Sequence, residues 1–381
     1  MIRADSPRTL IADDQPDVLE ALRLLLKDEG FQTEAVSSPT GVLEALEQRN
    51  FDLLLMDLNY ARDTTSGREG LDLLSRVRAI DGTLPVVVMT AWANVDITLE
   101  ALRGGVADFV LKPWENRQLI DTIRRHVESG QLARRSSRLN TERARELDDA
   151  RAIQERLIPQ SIPQAHGHSI AARWEPARTV GGDYYDVVSF GDDLMALCIG
   201  DVSGKGMPAA LLMSNFQAAV RAHACKTLEP AALCATLNEV VAANTESDRF
   251  ISFFYAVLDA SSRKLTYANA GHNAPILMRA DGRIARLEQG GYVLGPLAGA
   301  AYEQGEISIE PGDRVVMFTD GVTEARDAGG EEFGDDRLIE LLVKSREMDA
   351  AGLKEQLFDA LVKFTSGKFD DDVTIVALSA R

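Results

Sequence analysis

The first 112 residues carry five short apolar runs: RTLIA (8–12), FQTEAV (31–36), FDLLLM (51–56), LPVVVM (84–89) and VADFVL (106–111). Between them lie segments with helical spacing, such as Val18, Leu22, Leu25 and Leu26, or Val42, Leu43 and Leu46. Short continuous strands alternating with amphipathic helices predict a parallel sheet covered by helices on both faces. In such a sheet all strands open on one edge, and ligands bind there. Here that edge collects chemistry. Asp13 and Asp14 end the first strand, Asp57 ends the third, Thr90 ends the fourth and Lys112 follows the fifth.

An aspartate at a strand end is by itself an ordinary turn or cap residue. Three converging carboxylates, however, repel unless a divalent cation neutralises them. A hard-oxygen site beside an ammonium and a hydroxyl suits a phosphoryl group. Asp57 is then the candidate nucleophile, forming an acyl phosphate.

The remaining length carries more than one further element. At roughly 100–200 residues per domain, 381 residues predict two or three domains. With 41 basic and 59 acidic residues the net charge is −18, which argues against broad attraction to nucleic acid or anionic membrane. Cys198, Cys225 and Cys234 have no CxxC spacing and read as buried thiols in a reducing compartment. Arg3, Asp5, Arg8, Asp13 and Asp14 interrupt the N-terminus, so no signal peptide is expected. The longest stretch without Asp, Glu, Lys or Arg, 157–172, contains Pro159 and Pro163, so no bilayer span is expected. The expected location is the cytoplasm.

Between Trp114 and Pro159 there is no proline and one glycine, Gly130. Ten arginines lie there among acids, and Leu132, Leu139 and Ile153 share a seven-residue register that Glu146 interrupts. This predicts a long polar helix with a weak seam: a connector and a two-stranded, dimerising coil, with a solvated single helix as the alternative. No helix-turn-helix follows, so a DNA-binding regulator is disfavoured.

Strand-like runs then appear at 183–190, 194–200, 251–258, 264–268, 313–318 and 373–378, and helical ones at 207–224, 230–243, 335–346 and 350–364. Blocks of this kind predict an α+β sandwich. Four segments set acids beside glycines or strand ends: VGGDYYD (180–186), IGDVSGKGMPAALLM (199–213), MFTDGVTEA (317–325) and FDDDVTIV (369–376). Each alone is an ordinary turn, but together they gather more carboxylate than anything except cations tolerates. With no His or Cys beside them, Mg2+ or Mn2+ is favoured over zinc or copper.

The N-terminal part, residues 1–125, resembles the response-regulator receiver domain, a flavodoxin-like, CheY-like fold. The resemblance implies that Asp13, Asp14 and Asp57, with the Asn59 carbonyl, hold Mg2+, and that Asp57 accepts a phosphoryl group from a sensor histidine kinase. It makes Thr90 the switch hydroxyl beside the small Ala91, Phe109 the aromatic that reports phosphorylation, and Lys112-Pro113 a cis peptide. One departure is a longer loop after Asp57: Gly70 of GLDLL stands thirteen positions on, and the extra ARDTTSG is polar. It is expected to alter kinase docking or phosphate lifetime.

Residues 165–381 resemble the metal-dependent phosphatases of the phosphatase 2C-like (PPM) family, in the SpoIIE-like branch. The strings GGDxYD, DVSGKGxxAALLM, NAGHNxP (269–275), FTDGVTEA and DDxT (371–374) carry the likeness. It implies two Mn2+ or Mg2+ ions that activate a water against a phosphoserine or phosphothreonine. Asp201 would bridge them, Asp183 would bind one, and Asp320 and Asp371 the other, with the Val202 carbonyl as an extra ligand. Asp372 would be a supporting residue or a weaker ligand. Eukaryotic relatives use an Arg for the substrate phosphate, which neither Arg173 nor Arg178 convincingly matches. Lys205 fills a slot often held by His, and His272 is expected to be structural.

Residues 126–164 form the connector, whose end, ELDDARAIQERLIPQSIP (146–163), resembles the AxxIQxxLLP helix that precedes this branch. The whole then implies a homodimeric response regulator whose Asp57 controls a serine/threonine phosphatase. Its implied substrate is a phosphoserine anti-sigma-factor antagonist of the STAS type. The alternative is a non-catalytic adaptor that binds a sigma factor, a class in which the metal ligands are typically lost.

Overall fold

A computed structural model describes residues 6–60, 68–91, 95–191, 193–224, 229–245 and 248–381. The ARDTTSG insertion, Cys225, Arg3 and Asp5 lie outside the described residues. The chain divides into two compact units, Met1–Ala144 and Arg145–Arg381.

The first unit alternates β1 (Arg8–Ala12), α1 (Pro16–Asp28), β2 (Gln32–Val36), α2 (Pro39–Gln48), β3 (Leu53–Asp57), α3 (Arg68–Ile80), β4 (Val86–Thr90), α4 (Val95–Arg103), β5 (Asp108–Leu111) and the start of α5 (Asn116–Leu157). The five strands are parallel in the order β2-β1-β3-β4-β5. Successive strand residues point to opposite faces, so Leu54, Met56, Val86 and Val88 enter one core while Leu53, Leu55, Val87 and Met89 enter the other. Helices start where the sequence allows it: Pro39 opens α2 behind Ser38, whose hydroxyl accepts from Gly41 N at 3.2 Å. The first turns of α5 bury Leu119, Ile120, Ile123 and Val127 against this sheet. Gly130 is required there, because a Cβ would run into the Pro85 ring.

The second unit contains the end of α5, then β6 (His168–Glu175), β7 (Tyr184–Ser189), β8 (Leu194–Val202), α6 (Met207–His223), α7 (Pro230–Asn244), β9 (Ile251–Asp259) and β10 (Lys264–Ala270). There follow β11 (Ile276–Met278), β12 (Ile284–Arg286), β13 (Gly290–Gly291), β14 (Gly305–Ser308), β15 (Arg314–Phe318), α8 (Asp320–Thr323), α9 (Gly334–Lys344), α10 (Ala350–Thr365) and β16 (Val373–Ala380). One sheet runs β13-β10-β9-β8-β7 with β14 also on β10; the other runs β12-β11-β15-β16-β6. Their pairing is antiparallel except for β10 with β13.

Alternation along β15 and β16 explains the layering. Val315, Met317, Val376 and Leu378 face the other sheet and α6–α7 share that core, while Val316, Phe318, Ile375 and Ala377 face α9 and α10. The predicted sandwich flanked by helices is therefore present. Its runs at 183–190 and 313–318 begin one residue late, at Tyr184 and Arg314. Five strands, β6 and β11–β14, and the four-residue α8 were not predicted. Cys198 and Cys234 are free and buried, and burial pushes the Cys234 thiol up to about 12.

Along α5, Leu132, Leu139 and Ile153 are 68%, 55% and 63% exposed, so the predicted seam is left uncovered by the described residues. Among the described residues no helix is long and apolar enough to cross a membrane.

Candidate functional site

The first site lies at the carboxyl edge of the parallel sheet. Asp13 is fully buried just past β1, and Asp14 follows it. Asp57 closes β3. Oxygens of Asp13, Asp14 and Asp57 lie within 4.8 Å of one another, and among the described residues this is the one group so close. Lys112, just past β5, donates from Nζ to Asp13 Oδ2 at 2.6 Å and to Asp57 Oδ2 at 2.5 Å. The Lys112-Pro113 bond is cis, as expected. Thr90 ends β4 buried, and its carbonyl accepts from Lys112 N at 2.8 Å. Asn59 N donates to Asp57 Oδ1 at 3.2 Å, while Phe109 is half-buried against one of the two cores.

Burial raises the Asp13 carboxyl above its ordinary value despite the Lys112 hydrogen bond. Burial alone would lower the Lys112 ammonium, but hydrogen bonds and charge from Asp13 and Asp57 outweigh it, and its affinity for the proton rises. Three carboxylates against one ammonium leave an excess negative charge in a buried oxygen site. Beside them the Tyr60 hydroxyl and Glu69 Oε2 are buried with no hydrogen-bond partner among the described residues. This donor set fits a hydrated, hard divalent cation such as Mg2+. The chain beyond Asp57 is pinned by Gly70, whose N donates to Leu58 O at 3.1 Å and whose Cβ would strike the Leu58 backbone.

The second site is built at one end of the sandwich, where β7, β8, α8 and β16 meet. Asp183 sits in the turn before β7 and is 1% exposed. Its Oδ2 accepts from Thr319 Oγ1 at 2.8 Å and Thr374 Oγ1 at 2.5 Å. Asp201 and Val202 end β8, Asp320 opens α8, and Asp371 precedes β16. Lys205 Nζ holds Asp371 Oδ2 and the Asp370 carbonyl, both at 2.8 Å.

These acids feel one another. Burial pushes Asp183 well above the usual carboxyl range, with the charges of Asp201 and Asp372 adding and the two threonines opposing. Asp201 is pushed up to about 7 by burial and then by Asp320, Asp371 and Asp372, against a hydrogen bond shared with Asp183. Asp320 rises for the same reasons, burial first and Asp371 next. Desolvated carboxylates at this density favour protons unless a cation compensates them, and an oxygen-only set suits Mg2+ or Mn2+. The donor types fit such ions, although among the described residues no three of these acids bring oxygens within 4.8 Å of one another.

Asp372 faces elsewhere: its Oδ1 accepts from Ala177 N at 2.8 Å and its Oδ2 from Gly182 N at 2.6 Å. It clamps the turn that carries Asp183, a supporting role among the two expected. A Cβ on Gly181 would strike that carboxylate, which explains the glycine. His272 is buried with Nδ1 2.8 Å from Ser252 Oγ, and burial lowers it to about 4, so it is a neutral member of the turn. Asn269 locks that turn by accepting from His272 N and donating to His272 O. The second aspartate of GGDYYD, Asp186, receives a two-point grip from Arg221 and the Tyr184 hydroxyl, tying β7 to α6.

Of the arginines weighed from the sequence, Arg173 is committed to Glu175 at 2.8 Å and lies over the Phe358 ring. Arg178 is exposed near Lys205. Its Nη1 is 3.9 Å from where a Gly206 Cβ would stand, and Arg249 Nη1 is 3.7 Å from the same point on Gly204. Sequence reasoning did not single out Arg249, Thr319, Thr374 or Gln154 as functional. The threonines were visible inside the FTDG and DDVT strings, at fixed distances from Asp320 and Asp371.

A flavodoxin-like receiver with its acidic cluster, followed by a phosphatase 2C-like sandwich, defines a response regulator with an enzyme-type output domain. Residues 9–124 match the response regulator receiver domain, residues 191–381 match stage II sporulation protein E (SpoIIE), and the chain belongs to the SpoIIE family. It is 32% identical over 237 residues to the phosphoserine phosphatase RsbU of Bacillus subtilis, covering 62% of this chain and 70% of that protein. It is 30% identical over 265 residues to Protein IcfG of Synechocystis, covering 61% of this chain but only 41% of IcfG. The solved SiaA-PP2C domain of Pseudomonas aeruginosa aligns with a TM-score of 0.56 at 21% identity, over 64% of this chain and 99% of that domain, a likeness of fold.

Proposed function

We propose that phosphorylation of Asp57 by a sensor histidine kinase controls a Mn2+- or Mg2+-dependent protein serine/threonine phosphatase in the same chain. Its proposed substrate is the phosphoserine form of an anti-sigma-factor antagonist of the STAS type. The observation that carries this reading is the undepleted acid set of the second unit, Asp183, Asp201, Asp320 and Asp371 around β8. An adaptor that only binds has no need to keep all four carboxylates. The likeness to RsbU, whose name is that of a phosphoserine phosphatase, supports the substrate class.

In the receiver, an Asp57 oxygen would attack phosphorus as the bond to the donor breaks; Lys112, bonded to Asp57, and Thr90, at the end of β4, would meet the transferred oxygens. In the phosphatase, Asp183, Asp201, Asp320, Asp371 and the Val202 carbonyl would hold the ions. When bound, these supply an activated water and neutralise phosphoryl charge. Thr319 and Thr374 orient Asp183, and Lys205 steadies Asp371. The exposed seam of α5 is the proposed homodimer contact. Purified protein with Mn2+ should hydrolyse a phosphoserine STAS protein, and Asp201→Ala should abolish this; retained turnover sinks the assignment.

A further inference from the structure

Between Gln131 and Leu157, α5 buries a single residue, and that residue is polar: Gln154, 2% exposed. Both polar groups of its amide are paired. Nε2 donates to the Gly181 carbonyl at 2.6 Å, and Oε1 accepts from Gly181 N at 3.0 Å. Both edges of one peptide residue are thus read by one side chain. A buried amide is costly unless both its groups are paired, so this contact exists only when the helix end stands in one register against the loop. One residue of helix corresponds to about 100° and about 1.5 Å, so a fraction of that step parts both bonds.

The far side of the same loop is also fixed. Asp372 takes the Gly182 N–H at 2.6 Å and leaves no room for a side chain on Gly181. Gly181 and Gly182 are therefore held between the α5 amide and the Asp372 carboxylate, and the next residue is Asp183. Below Gln154 the helix end is anchored separately, by Ile158 in the core and by Gln217 Nε2 donating to Leu157 O at 3.2 Å. Anchoring of the helix does not need Gln154; registration of the loop does.

We propose that Gln154 is a positioning residue that couples the register of α5 to the metal-binding geometry of Asp183 through Gly181. The inference rests on the metal-dependent phosphatase reading above and adds the residue through which the connector acts on the site.

The test compares full-length wild type with Gln154→Met, Gln154→Ala and, on the exposed face, Glu155→Gln. Mn2+ binding is measured by titration calorimetry, turnover with p-nitrophenyl phosphate, and melting in EDTA. Loss of an outer partner of a metal ligand commonly costs on the order of tenfold or more in metal affinity. Gln154→Met and Gln154→Ala should both weaken Mn2+ binding by about that factor, with Glu155→Gln unchanged and the EDTA melts cooperative. Met fills the space without hydrogen bonding, so Gln154→Met binding Mn2+ like wild type would make the role one of packing and overturn the proposal. Loss of the cooperative melt in both variants would make Gln154 a folding residue and overturn it equally. If wild type itself binds no Mn2+, the phosphatase reading fails, and the coupling with it; that arm is read independently of the variants.

Discussion

The Thr374 hydroxyl donates to Asp183 Oδ2 at 2.5 Å, from a strand residue with no solvent exposure to a carboxylate 191 positions earlier in the chain. The pair joins the two sheets at the acid cluster and aims one oxygen of Asp183 away from the threonines. Thr374→Val keeps the shape and removes the donor. A hydrogen bond to a charged group contributes about 1.5–3 kcal/mol, so Mn2+ binding should weaken roughly ten- to a hundredfold, as read by calorimetry.

The acids of the second unit predict a pH dependence with a definite sign. Asp201 moves from 3.8 to about 7 in the folded protein, and Asp183 also rises. A carboxyl that holds its proton more tightly when folded stabilises the fold at low pH. That contribution is lost as pH rises from about 4 through about 7. In EDTA the second unit should therefore melt at lower temperature as pH increases over this window. Mn2+ competes with those protons, so its affinity should increase over the same window and offset the loss. Calorimetric melts with and without Mn2+ across the range check both trends; flat curves would count against the cluster.

Lys112 is the only ammonium bonded to the receiver acids among the described residues, and it occupies Asp13 and Asp57 together. Lys112→Ala should tighten Mg2+ binding, because a competing positive charge leaves. It should also cut phosphorylation by acetyl phosphate by about tenfold or more, because no side-chain cation then meets the transferred oxygens. Calorimetry and phosphate-affinity electrophoresis separate the two effects.

Arg178 and Arg249 flank the Gly204–Gly206 turn that follows Asp201 and Val202, and neither guanidinium has a partner among the described residues. If they engage substrate without taking part in bond breaking, Arg178→Ala and Arg249→Ala raise KM for a phosphoserine protein several-fold and change kcat little. An equal fall in kcat and kcat/KM would instead place them at the transition state.

Much of the receiver was legible because it depends on local pattern. Continuous apolar runs mark strands buried on both faces, and the functional residues stand at or just past their ends. Asp13, Asp57, Thr90 and Lys112 could thus be placed from spacing. β6 was not legible for the opposite reason. HSIAARWE mixes polar and apolar residues, and it becomes a strand by pairing with β16 from His168↔Ala380 to Glu175↔Val373, across the whole unit. Strands of two to four residues, as in β11–β14, carry too little pattern to see. The acid set of the second unit was visible as motifs, but its supports were not. That Asp372 turns to Gly182, that Thr374 reaches Asp183, and that Gln154 grips Gly181 are all contacts between distant segments.

The first site is proposed to govern the second. Turnover of a phosphoserine STAS protein by the full chain with Mn2+ should be measured before and after acetyl phosphate treatment, for wild type and Asp57→Asn. The wild-type rate should change several-fold, and Asp57→Asn should not respond. A wild-type rate that stays the same while Asp57 is demonstrably phosphorylated would contradict such control.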